Sequence, residues 1–171
     1  ERLILAEALA SGILEEQHHV LATVSGQDLI GLRYEPLFRF VEPGKPAHRV
    51  IGADFVSLQD GTGIVHIAPA YGAEDLAVGR AEDLPIIHTV TLDGAVMDVP
   101  GAPYAKMFVK DADPLITAEL RSRGLLYRSG TIRHTYPFCW RCDTPLIYYA
   151  KDSWYIKTTA VKDRLVQANR E

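Results

Sequence analysis

The chain has 171 residues, 47% of them hydrophobic and 23% charged, with a formal net charge of −4. That is enough chain for one buried core, or one core with a small appendage, and too little positive charge for a global attraction to nucleic acid; a local basic patch would still serve an RNA-binding protein. No apolar run approaches the roughly 20 residues that cross a bilayer, so no membrane partner is expected.

The first segment, ERLILAEALASG, mixes charges with apolar residues and lacks a signal-peptide layout. Leu3, Ile4, Leu5, Ala8 and Leu9 predict a short amphipathic helix, with Gly12 as its C-cap. Val20–Val24 predicts a strand, and Pro36 makes Gly31–Phe40 an edge or irregular segment. EPGKP, Glu42–Pro46, is a turn; Arg49–Leu58 and Ile64–Ile67 read as strands, the second stopped before Pro69. A short helix is expected over Glu74–Glu82, a strand over Ile86–Val90 and a hairpin turn at TLDG, Thr91–Gly94. The clearest helix is DPLITAELRSRG, with Asp113 as N-cap, Pro114 in the first position and Gly124 as terminator. Leu126–Ile132 reads as another strand, followed by YPFCWRC, the apolar LIYYA and a charged helix from about Thr159. Strands with few, short helices predict an α+β fold whose mixed, strongly curved sheet closes toward a barrel, with peripheral helices. Neither GxGxxG nor a phosphate loop occurs, so no nucleotide cofactor is expected in this chain.

DGTGIVHIAPAYGAEDL, Asp60–Leu76, concentrates the chemistry. Strand alternation places Ile64, His66 and Ala68 on one face, and Pro69 ends the ladder. Asp75 follows at a helix start, where backbone N–H groups favour an anion. Strand, turn and helix start would set His66 and Asp75 at opposite lips of one pocket, the carboxylate for an ammonium group and the imidazole for a hydroxyl or water. Taken singly, His66 reads more readily as a structural strand-end histidine, and Asp75 or Glu74 as a helix-terminal charge. No serine or cysteine stands in a nucleophile context.

CWRC gives Cys139 and Cys142 the spacing of half a tetrahedral zinc site, with His134 the nearest third candidate. A redox pair and a pair of structural cysteines are the alternatives. With two cysteines in all, a disulfide scaffold is not expected, and a reducing cytoplasm is the expected compartment. Arg121, Arg123, Arg128, Arg133 and Arg141 interleave with Tyr127, Tyr136 and Trp140 and would serve RNA phosphates and bases, or form a solvated face.

GTGIVHIAPAYGAEDL, Gly61–Leu76, resembles the signature of the editing domain inserted into class I isoleucyl-tRNA synthetases, and Tyr136–Thr159 resembles the segment leading from that domain back to the synthetic core. The histidine at position 66 resembles the isoleucine branch rather than the valyl or leucyl enzymes, which are the nearest alternatives. The resemblance implies a pocket that hydrolyses valine wrongly attached to isoleucine tRNA, with water as the attacking species. Asp75 would anchor the free α-amino group, His66 would help to exclude isoleucine, and Tyr71 and Gly72 would line the substrate site. Isoleucyl-tRNA synthetases are themselves the standard illustration of the need. One methylene is worth only about 1–3 kcal/mol, so a second site must reject the larger side chain and hydrolyse what still fits.

The same resemblance implies that Cys139 and Cys142 supply half of a structural zinc site completed from outside the chain. It also implies that the ATP of the parent enzyme binds elsewhere, that editing needs no cofactor, and that the partners are mischarged tRNA and the remainder of the synthetase, the whole a monomer. Residues 1–133 would be part of the editing domain and 134–171 the connecting segment, with Trp154 and Tyr155 packed at the junction. The family's threonine-rich stretch lies upstream of a segment like ERLILAEALA. The chain therefore reads as a piece holding one wall of the pocket, and a fragment that binds tRNA or docks without hydrolysing is the non-enzymatic alternative.

Overall fold

The computed structural model describes residues 2–14, 17–131 and 133–170. Among them are five α-helices: α1 (Ala10–Ile13), α2 (Gly26–Leu29), α3 (Ala73–Ala81), α4 (Val109–Ser122) and α5 (Lys162–Ala168), with 3-10 turns at Glu7–Leu9 and Thr158–Val161. The expected curved, barrel-like sheet does not form. The described residues contain isolated antiparallel bridges and no strand, at Arg33 with Arg49, Val90 with Val96, Ala95 with Phe108, and Phe138 with Pro145.

The reason lies in burial. A run of β-branched residues becomes a ladder only when a neighbour takes its backbone groups and a core takes one face. Val20, Leu21 and Val24 are instead 72%, 75% and 58% exposed, and Ile64 and Val65 are 48% and 50% exposed. Arg49–Leu58 and Ile86–Val90 likewise contribute single bridges only, and Leu126–Ile132 shows none over its described residues, Ile132 lying outside them. Among the described residues the buried apolar side chains are few: Ala70, Val99, Tyr104 and Ala112.

Local pairing still organises the chain. The amide of Gly31 donates to the Val50 carbonyl (2.9 Å) and Val50 donates back to Leu32 (2.8 Å), closing the EPGKP loop. Arg49 then ties this loop to the end of α3, donating to the Glu82 carboxylate at 3.1 Å and to its carbonyl at 2.6 Å. The expected turn at Thr91–Gly94 forms, with Gly94 N–H to Thr91 (2.9 Å) and Thr91 N–H to Ala95 (2.8 Å). Residues 96 and 97 are held between two partners, Val96 donating to Met107 (2.8 Å) and Met97 to Thr89 (2.9 Å).

Helices α3, α4 and α5 follow their sequence signals with shifted ends. The amphipathic helix expected on Leu3–Leu9 does not form there: residues 2–6 are not helical, Glu7–Leu9 is a 3-10 turn, and α1 follows with Gly12 inside it. The helix read from Asp113 starts earlier, at Val109, so Pro114 lies inside α4. Gly124 follows its C-cap Arg123 in the left-handed region, φ 66°. The charged helix near the C-terminus is α5. A short helix the periodicity did not signal, α2, is set by a capping box in which Ser25 accepts from Gln27 at 3.3 Å and Asp28 accepts from Ser25 at 3.1 Å.

Candidate functional site

The glycine-rich start of the Gly61–Leu76 segment is pinned to the N-terminal region. Ala6 donates its amide to the Thr62 carbonyl at 2.8 Å, and a Cβ on Gly63, whose φ is 72°, would meet the Ala6 Cβ at 2.5 Å. The chain then runs extended through His66 to a tight turn, in which Tyr71 N–H donates to Ala68 at 2.9 Å. Helix α3 starts immediately behind, with Gly72 as its N-cap and Glu74 and Asp75 in its first turn, where the dipole favours them. Pro69 lies against buried Gly79, at which a Cβ would approach the proline ring to 2.7 Å. The side-chain-free glycine is what lets helix and turn meet so closely.

Within this frame the Asp75 carboxylate faces back into the turn, and its Oδ2 accepts the amide of Ala68 at 3.0 Å. A Cβ on Gly72 would lie 2.8 Å from the Asp75 Cγ, so this position also shapes where the carboxylate sits. Asp75 is half-buried and its neighbour Glu74 is exposed. His66 is exposed, and its imidazole makes no hydrogen bond or ion pair with Asp75 or any other described residue. The Tyr71 phenol points away from solvent into a backbone cradle. Its oxygen accepts from Thr89 N–H (2.6 Å) and Val90 N–H (2.9 Å).

Around that phenol lies a cluster that composition and spacing gave no sign of. His88 stacks on Tyr149 at 4.3 Å with 14° between the rings, and Tyr71 meets both edge-on, at 6.1 Å and 5.9 Å. The Tyr149 hydroxyl donates to the Val90 carbonyl at 3.2 Å, and the Ala150 amide donates to Ala70 at 2.8 Å. Residues 149 and 150 therefore back the same turn that carries His66 and Asp75. Two clefts stand out elsewhere: one of about 510 Å³ between residues 33–34 and 42–49, the other of about 480 Å³ beside Phe40, Gly101–Pro103 and α4.

The cysteine pair sits on a knuckle. The Cys139 amide donates to Thr144 at 2.9 Å, the Asp143 amide to Cys139 at 2.8 Å, and Phe138 bridges Pro145 just outside. Cys142 is exposed, with its sulfur 3.2 Å from the Thr144 hydroxyl. That hydroxyl, then the Thr144 backbone and Cys139, hold its thiol below the usual cysteine range. This donor chemistry suits two thiolate ligands. His134 is not gathered with them: its Nδ1 lies 2.9 Å from the Thr135 carbonyl, and it forms no metal-ligand group with the two cysteines. Among the described residues no group of three or more His, Cys, Asp or Glu could hold a metal.

No family model matches the chain. It is 47% identical over its full 171 residues to the isoleucine–tRNA ligase of Clostridium acetobutylicum, covering 16% of that protein. It is 44% identical over 99% of its length to the isoleucine–tRNA ligase of Dehalococcoides mccartyi strain 195, covering 18% of it. The isoleucine–tRNA ligase of Streptomyces coelicolor is 44% identical over the whole chain, again covering 16%. The chain thus spans less than a fifth of the relatives it matches. At 44–47% identity over 99–100% of its length, the chain is similar to one segment of isoleucine–tRNA ligases.

Proposed function

We propose that this chain is the post-transfer editing portion of a cytoplasmic isoleucine–tRNA ligase, hydrolysing valine from mischarged isoleucine tRNA with water as the nucleophile. The observation that carries the reading is the Asp75 carboxylate, oriented at the start of α3 by the Ala68 amide and backed by the Tyr71 anchor. One Asp75 oxygen holds the turn, and the rest of the carboxylate's acceptor capacity is left for the α-ammonium of the esterified amino acid. His66, exposed and without a partner among the described residues, is the second polar group, directed to the terminal ribose and to excluding the larger isoleucine side chain. Tyr71 contributes by fixing the turn and Gly72 by leaving room for the Asp75 carboxylate.

Cys139 and Cys142 would give two thiolates to a structural zinc, the other two ligands coming from the remainder of the synthetase. Trp154, Tyr155 and Ile156, 101%, 90% and 86% exposed in succession, would dock on that remainder.

The test is made in the full-length synthetase, because the chain spans less than a fifth of the relatives it matches. Asp75→Asn keeps an oxygen to accept the Ala68 amide and removes the charge. We expect its release of valine from mischarged tRNA to fall at least tenfold, with isoleucine activation and melting temperature unchanged. Undiminished hydrolysis would remove Asp75 as the amine anchor. His66→Ala should instead let isoleucine-charged tRNA be hydrolysed, and unchanged selectivity would remove His66 from the size filter.

A further inference from the structure

The segment running into the cysteine knuckle carries rings on every second residue. His134 meets Tyr136 edge-on at 5.8 Å, Tyr136 meets Phe138 edge-on at 5.8 Å, and Trp140 continues the alternation at the tip of the knuckle. These rings are not core. Phe138 is 52% exposed and Trp140 is 85% exposed, the cost of which a partner would relieve. Two of them are capped by cations: the Lys110 ammonium lies 5.4 Å from the Tyr136 centroid and the Arg141 guanidinium 4.6 Å from that of Trp140. Lys110 also reaches Asp113 at 3.9 Å, whereas Arg141 makes no ion pair among the described residues.

We propose that this ladder, His134, Tyr136, Phe138 and Trp140 with Lys110 and Arg141, is a stacking platform for unpaired nucleotides of the bound tRNA. Alternating rings offer π-faces that any base can use, and cations beside them meet the phosphates, the combination by which single-stranded nucleic acid is held without sequence preference. The contrast lies in the same chain: Trp154 and Tyr155 are still more exposed, and among the described residues no cation sits over either. The overall charge of −4 makes the paired cations here a local feature and not a by-product of a basic chain.

The proposal rests on tRNA being the partner. In the full-length synthetase, Trp140→Ala should weaken equilibrium binding of isoleucine tRNA by about five- to 150-fold, the range for losing one stacked base. Trp140→Phe should restore most of the affinity, and the melting temperature of the tRNA-free enzyme should not move. Arg141→Gln should lower the slope of log affinity against log salt by about 0.7, one phosphate contact on a single strand. Unchanged affinity in Trp140→Ala overturns the platform, as does unchanged affinity with a lowered melting temperature, which would show the rings covered by the enzyme itself. An enzyme that binds tRNA through Trp140 but leaves valine-charged tRNA intact would remove the editing function and keep the platform.

Discussion

The phenol oxygen of Tyr71 accepts two consecutive backbone amides, at 2.6 and 2.9 Å, so the residue acts on the site through the chain it holds in place. Both amides belong to the segment entering the Thr91–Gly94 turn, so the contact ties the His66–Asp75 turn to the hairpin-like unit beside it. Tyr71→Phe keeps the ring packing on His88 and Tyr149 and removes the hydroxyl that accepts both amides and lies 3.4 Å from the Thr89 hydroxyl. Two part-buried donors then lose their partner, at a cost of about 1–3 kcal/mol for each group left unsatisfied. We expect amide exchange at Thr89 and Val90 to quicken at least fivefold in the variant while distant α5 amides keep their rates. Unaltered exchange at both would show that the phenol does not hold this segment.

At the scale of elements, what the sequence made legible was whatever a few neighbouring residues decide. Glu74 and Asp75 behind the Tyr71–Gly72 turn marked α3 to within a residue at each end, and Thr91–Gly94 formed the turn read from it. The placement of Asp75 at a helix start was legible for the same reason, whereas the Ala68 amide that orients its carboxylate and the His88–Tyr149 stack behind Tyr71 join residues whose proximity no local pattern encodes. Strands failed for that cause in stronger form. The β-branched Ile64, Val65 and Ile67 state a preference for a pleated, buried surface, and the described residues supply no neighbour to pair with them. Helix α4 shows a tertiary override: Asp113 and Pro114 signal a helix start, but the chain is already helical from Val109, with Ala112 fully buried. Pro114 consequently sits where an amide would have bonded the Lys110 carbonyl. Pro114→Ala restores that donor, and the gain in helix propensity, up to about 3 kcal/mol, exceeds the roughly 1 kcal/mol lost through a looser unfolded chain. Amides of Thr117–Leu120 should exchange roughly tenfold more slowly in the variant. Faster exchange there would mean that the proline is needed for the helix's seating.

The whole molecule is short of interior. A compact monomer of 18.9 kDa exposes about 8,300 Å², whereas this chain exposes 14,248 Å². The excess is not spread evenly over polar groups: Ile4, Val20, Leu21, Leu92, Trp140, Trp154, Tyr155 and Ile156 are each two-thirds exposed or more. Apolar burial is the main term set against chain entropy, so a polypeptide that retains so little of it has little to make unfolding cooperative. The proposed remedy is the remainder of the synthetase, which would cover Trp154–Ile156. The 171 residues prepared alone should therefore melt over a broad range, bind hydrophobic dyes before heating, and give a urea m-value below the roughly 1–3 kcal/mol/M of small cooperative domains. In the full-length enzyme the amides of residues 20–24 and 154–156 should exchange at least tenfold more slowly than in the isolated piece. A sharp two-state melt of the isolated chain, with those amides equally protected in both settings, would show that this segment holds its own core and that its exposed rings await something other than the rest of the enzyme.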